Sequence, residues 1–223
     1  MKIIPAILTD SFLTLQDQMN AVKSSDHIET IHVDIIDGQF ADNITVTPLD
    51  LTVADFDQFK VDFHLMTEEP MDFVFECAGL REYLPIRQII GQVERMSHQL
   101  DFVEEVIRNG WQPALALDLF TPLEAIDEDV WPQLHSILIM SVEAGVQEQT
   151  FNRAALEKVR EIRRVYPSIE QMNIMVDGGV KTLNAKEILK SGANELVVGS
   201  ALWNSTDPVA KIEDFTQIEP NHS

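Results

Sequence analysis

Short apolar runs rich in Ile, Val and Leu recur along the chain and alternate with longer stretches whose apolar residues follow helical spacing. A short apolar run of this kind reads as a strand buried on both faces, and apolar positions three and four apart read as a helix packed against it. Strands are expected at 3–8, 30–36, 61–66, 87–93, 114–117, 137–140, 174–176 and 196–198. Asp10 or Ser11 can cap a helix through Leu15, Met19 and Val22, and Ser97 precedes one carrying Leu100, Val103 and Val106 that ends near Asn109-Gly110. Pro122 suits the first turn of a helix over 123–126, and Asn152 can cap a helix carrying Leu156, Val159, Ile162 and Arg163. Eight strands with helical returns predict a (β/α)8 TIM barrel as a single domain over 1–218, with a short tail at 219–223. A doubly wound open sheet is the competing topology, but no Gly-x-Gly-x-x-Gly follows the first strand.

Composition narrows the setting. The 223 residues suffice for one sizeable core. One cysteine, Cys77, cannot form an internal disulfide, which suits a reducing cytoplasm. The opening Met1-Lys2-Ile3-Ile4-Pro5 is too short for a signal peptide, and no apolar run reaches membrane-spanning length. Sixteen basic against 37 acidic side chains leave a net charge of −21, which repels nucleic acid and acidic membrane surfaces. Salt screens that field over roughly 8 Å, so an anionic small substrate such as a sugar phosphate is not excluded.

The candidate chemistry starts at His32-Val33-Asp34. Alternation along a strand puts His32 and Asp34 on one face, where they could share a metal ion. Alone, that pattern also arises from two satisfied polar groups in a buried strand. His64 falls late in the third strand and Asp177 just past the seventh, so all four approach the C-terminal ends of the strands, where such barrels place their sites. Mixed imidazole and carboxylate ligands suit zinc, iron, manganese or cobalt without choosing among them.

At these residues the chain resembles the ribulose-phosphate 3-epimerases. The matching segments are Pro5-Ala6-Ile7-Leu8, His32 to Phe40, Asn43-Ile44-Thr45, His64-Leu65-Met66, Thr121-Pro122, Met140-Ser141-Val142, Val176 to Val180, and Gly192-Ala193 to Gly199-Ser200-Ala201. The resemblance implies that His32, Asp34, His64 and Asp177 hold one divalent metal ion. It further implies that Asp34 and Asp177 transfer protons at C3 of the substrate, most simply between D-ribulose 5-phosphate and D-xylulose 5-phosphate. It places Met66, Gly145, Gly178, Gly179, Gly199 and Ser200 around the substrate and its phosphate, and it implies a homo-oligomer.

Several positions depart from the family pattern. Ala6 stands where serine is usual, Ile36 where methionine is, and Asp118 where asparagine is common; in the loop after the sixth strand Glu143 replaces an asparagine and Glu148 a glycine. A carboxylate aimed at phosphate is repulsive, so these changes keep open a ketohexose phosphate such as allulose 6-phosphate, or a non-catalytic metal-binding barrel. A related decarboxylase or lyase needs Asp-x-Lys-x-x-Asp in strand three, and Asp62-Phe63-His64-Leu65-Met66-Thr67 lacks it. Plainer roles compete elsewhere. Asp37-Gly38 reads as a turn, Met66 and Met140 as core filler, Gly178-Gly179 as a strand exit and Gly199-Ser200 as a helix cap. His27, His98, His135 and His222 read as surface or capping residues, and Glu68-Glu69 and Asp127-Glu128-Asp129 as solvated faces.

Overall fold

Eight parallel strands close on themselves. The computed structural model describes residues 1–145 and 149–218. In it β1 (Lys2–Ile7), β2 (Thr30–Ile36), β3 (Lys60–Met66), β4 (Ile86–Gln92), β5 (Gln112–Leu117), β6 (Ser136–Met140), β7 (Asn173–Asp177) and β8 (Glu195–Val198) pair in order, and β8 returns to β1. This is the expected (β/α)8 barrel. The tail expected at 219–223, with His222, and the loop residue Glu148 lie outside the described residues.

Strand alternation divides the interior in two. Ile31, Val33 and Ile35 of β2, and Val61, Phe63 and Leu65 of β3, enter the apolar layer between sheet and helices. Ile36 and Met66 turn the other way, into a second cluster within the barrel, and His32, Asp34 and His64 share their face. At the N-terminal ends of the strands the barrel is closed by a buried polar plug. Arg87 Nε donates to Asp62 at 2.7 Å, its Nη2 makes a second bond to the same carboxylate, and Nη2 lies 3.5 Å from Glu195.

The helices are α1 (Phe12–Val22), α2 (Pro70–Gly79), α3 (Gln99–Arg108), α4 (Ala155–Val165), α5 (Thr182–Ser191), α6 (Ser200–Trp203) and α7 (Pro208–Thr216). Ser11 settles the choice of first cap, because its hydroxyl accepts from the Thr14 N–H. Three expectations need correction. α3 starts after His98, and Ser97 instead donates its N–H to Glu69. Asn152 lies ahead of α4 and holds its lead-in turn by accepting from the Ala154 N–H, while Ala154 occupies the cap position. The segment opened by Pro122 forms only a 3-10 turn, Leu123–Ala125, followed by a second at Trp131–Gln133. Few apolar positions precede the exposed Asp127-Glu128-Asp129, and Pro132 then interrupts the chain, so no amphipathic face of useful length exists there. Trp131 stacks on Tyr166 of the next unit, with ring centroids 6.0 Å apart. Glu69 is no mere solvated acid either, since its carboxylate caps α2 through the Met71 N–H.

Candidate active site

β2 and β3 pair with Asp34 opposite His64. That register, with inward alternation of both side chains, brings their polar atoms together: His64 Nδ1 lies 3.0 Å and His32 Nε2 3.2 Å from the same Asp34 oxygen. Asp177 arrives from the end of β7, paired with Met140 of β6. One donor atom from each of His32, Asp34, His64 and Asp177 lies within 4.8 Å of the others. All four residues singled out in the sequence therefore converge.

Neighbours fix three of the four ligands. Gln92, inward on β4, lies with its amide 3.2 Å from His64 Nε2. The amide orientation that satisfies every atom has its oxygen accepting from His64 Nε2–H while its nitrogen donates to Ala116 O and Glu94. With Gln92 accepting from Nε2–H, Nδ1 is the ring nitrogen that His64 would present to a metal shared with Asp34. β1 pairs with β2 only as far as Ile7 opposite Val33. Beyond that point Thr45 replaces it as partner, donating to Asp34 O at 2.7 Å and accepting from Ile36 N–H at 2.9 Å. Asp37 accepts from the N–H groups of Gln39 and Phe40 through one oxygen and from Glu68 N–H through the other. It is a turn, as expected, and it also ties the loop after β2 to the loop after β3. Ser141 N–H donates to Asp177 O at 2.7 Å, and Gly178 N–H donates to the Asp177 carboxylate at 2.6 Å.

Electrostatics separate the two carboxylates. Burial opposes charge on Asp34, but hydrogen bonds from His32 and His64 outweigh it and hold the group well below the usual carboxylate range. Burial, reinforced by the charge of Asp34, pushes Asp177 up to about 6. Two buried carboxylates against two imidazoles form a donor set that a divalent cation would neutralise. The residues fit a metal.

A cleft opens above this cluster. Asp34, Met66, Gly145, Asp177, Gly178 and Gly179 line it, and Gly199 and Ser200 complete the far wall. His32 and His64 lie beneath, fully buried. Met66 and Met140 serve both readings, packed in the inner cluster and facing the cleft. Gly178 and Gly179 are required by the backbone: their φ angles are +99° and +58°, and a side chain on Gly179 would strike Phe151 N at 2.6 Å. Gly199 does begin a helix, the single turn α6. His27, His98 and His135 are exposed, away from the cluster. Sequence reasoning did not single out Gln92, or Trp203, which lines the cleft and donates to Ala6 O at 2.6 Å. Thr45 and Ser141 fell inside matching segments without a role.

The description Ribulose-phosphate 3 epimerase family matches residues 2–203. The chain belongs to this family. Ribulose-phosphate 3-epimerase of Bacillus subtilis (strain 168) is 31% identical over 219 residues, covering 96% of this chain and 97% of that protein. The chloroplastic ribulose-5-phosphate-3-epimerase of Arabidopsis thaliana is 34% identical, covering 91% of this chain and 72% of that protein. Among solved structures, 3-hexulose-6-phosphate synthase from Salmonella typhimurium superposes with a TM-score of 0.69 at 17% identity over 98% of both chains, which shows a shared fold. For a member of the ribulose-phosphate 3-epimerase family, the paired carboxylates at the strand ends are the centre of interest. No helix among the described residues is long and apolar enough to cross a membrane.

Proposed function

We propose that this epimerase interconverts D-ribulose 5-phosphate and D-xylulose 5-phosphate, with Asp34 and Asp177 as the proton-transferring pair. One observation carries the reading: two carboxylates and two imidazoles converge at the floor of the cleft, their donor atoms within 4.8 Å of one another. Inverting a carbon beside a carbonyl needs a base on one face and an acid on the other. Asp34 is held ionised by His32 and His64, whereas Asp177 binds a proton more readily, so the two begin in different states. One carboxylate removes the C3 proton, and the other delivers a proton to the opposite face. A divalent metal held by His32, Asp34, His64 and Asp177 would act as a Lewis acid on the substrate oxygens. Met66 covers the floor with an apolar side chain that excludes water. Gly178, Gly179, Gly199 and Ser200 line the end of the cleft suited to phosphate, where main-chain N–H groups not already bonded, as that of Gly178 is to Asp177, would hold the anion.

A homo-oligomer is supported by large apolar side chains left exposed on neighbouring segments, Leu49, Val53 and Phe75, with Leu49 N–H bonded to Glu76 of α2. The lone buried Cys77 suits a reducing cytoplasm.

The test is deuterium incorporation at C3 of ribulose 5-phosphate, followed by NMR with the protein supplied in turn with zinc, manganese, iron and cobalt. Incorporation that vanishes in Asp34→Asn and in Asp177→Asn is expected. Tight metal binding with no exchange in the wild type would remove the ribulose 5-phosphate assignment, and silence with ketohexose phosphates and free ketoses as well would favour the non-catalytic barrel.

A further inference from the structure

The cleft above Asp34 and Asp177 is lined by no lysine or arginine among the described residues, yet it has a third carboxylate, Glu143. Two packing contacts locate that residue. A side chain on Gly178 would strike Val142 Cγ2 at 2.4 Å, so the residue before Glu143 lies directly on Gly178. Gly179 in turn packs so closely on the Gln149 main chain that a side chain there would meet Gln149 O at 2.9 Å. The Gln149 amide clasps the Glu143 backbone in both directions, donating to Glu143 O at 2.7 Å and accepting from Glu143 N–H at 3.3 Å. Glu143 is thus pinned beside Gly178 and Gly179, at the end of the cleft assigned to phosphate. It is solvent-exposed, and its carboxylate has no ion pair among the described residues.

The charges then do not balance. Asp34 and Asp177 are matched by the divalent ion they suit, which leaves Glu143 as an uncompensated negative charge. A phosphate monoester is close to a dianion at neutral pH. Main-chain N–H groups must hold it against that charge, whereas a terminal hydroxyl meets no repulsion and can donate a hydrogen bond to the carboxylate.

We propose that Glu143 is a specificity-determining residue that narrows the enzyme's preference for phosphorylated over unphosphorylated ketoses, extending its substrate class to ketoses whose far end is a hydroxyl. This rests on the epimerase reading. Across a hydrated cleft, a unit charge acting on a dianion changes affinity by roughly three- to tenfold.

The experiment compares kcat/KM for ribulose 5-phosphate and for free D-ribulose in the metal-loaded wild type, Glu143→Gln and Glu143→Lys. The ratio of phosphorylated to free substrate is expected to rise about three- to tenfold in Glu143→Gln, and further in Glu143→Lys. In the wild type kcat/KM for the phosphate ester should rise with added NaCl, and that rise should flatten in Glu143→Gln. Wild-type turnover of ribulose 5-phosphate with a ratio unmoved in both variants overturns this proposal alone. A wild type silent on both substrates overturns the epimerase assignment and this proposal with it.

Discussion

Asp34 and Asp177 are the same side chain in two electrostatic settings, and the difference comes from their partners. Two imidazoles stabilise the charge of Asp34, while Asp177 faces that charge from the end of β7, across the mouth of the barrel. Because the Asp177 value is raised in the folded chain, metal-free protein gains a proton there below about pH 6 and loses that relief as pH rises through 6. Above that window two carboxylates confront each other, and a divalent ion removes the conflict. The rise in Tm on adding metal should therefore be larger at pH 7.5 than at pH 5, by about 2–4 °C for each kcal/mol of difference; equal rises by scanning fluorimetry would refute the account. Gln92→Leu should weaken metal binding by about 10- to 100-fold, since it frees His64 to turn, and competition with a chelator measures this. His32 and Asp34 were legible because strand alternation puts them on one face, and His64 and Asp177 because they fall at strand ends within segments that resemble the family's. Gln92 was not, because its role depends on how β4 stands beside β3, and a glutamine in a strand carries no mark of that.

Among the elements, the strands were more legible than the helices. A strand buried on both faces shows itself as an unbroken apolar run, as at Ile137-Leu138-Ile139, whatever surrounds it. Helix starts depend on which polar side chain reaches a free N–H, and a choice such as Ser97 against His98 is decided by neighbours like Glu69. The segment after β5 misled because Pro122 offers a helix start where too few apolar positions follow. The polar plug was hidden too: nothing in the sequence marks Asp62 and Glu195 as partners, yet both are buried and share Arg87. Burial raises Asp62 despite its hydrogen bonds to Arg87. Arg87→Leu would strand two carboxylates inside the barrel and should cost about 3–5 kcal/mol in chemical denaturation. The folded variant should still bind metal, because the plug lies at the opposite ends of the strands; lost metal binding in well-folded Arg87→Leu would contradict that separation.

At the scale of the whole molecule, 37 acidic side chains against 16 basic ones give a surface that repels itself. Raising NaCl from about 20 to 300 mM should therefore raise Tm, as the Debye length shrinks below the spacing of most surface charges. A Tm that falls over this range would show that attractive ion pairs, such as Arg153–Glu187, dominate instead. Closure of the barrel also has a temporal side. β1 pairs with β2 through Ala6 and Ile7, and its other edge, along Lys2 to Pro5, is covered only by Glu195 to Val198. On a ribosome adding about 5–20 residues per second, the opening strand waits roughly ten to forty seconds with one edge bare. During that interval the nascent chain presents Ile3, Ile4 and Ile7 beside unpaired backbone, an open template for pairing with another chain. Chaperone capture of this enzyme should therefore extend through most of its synthesis, ending once the eighth strand emerges and covers the first.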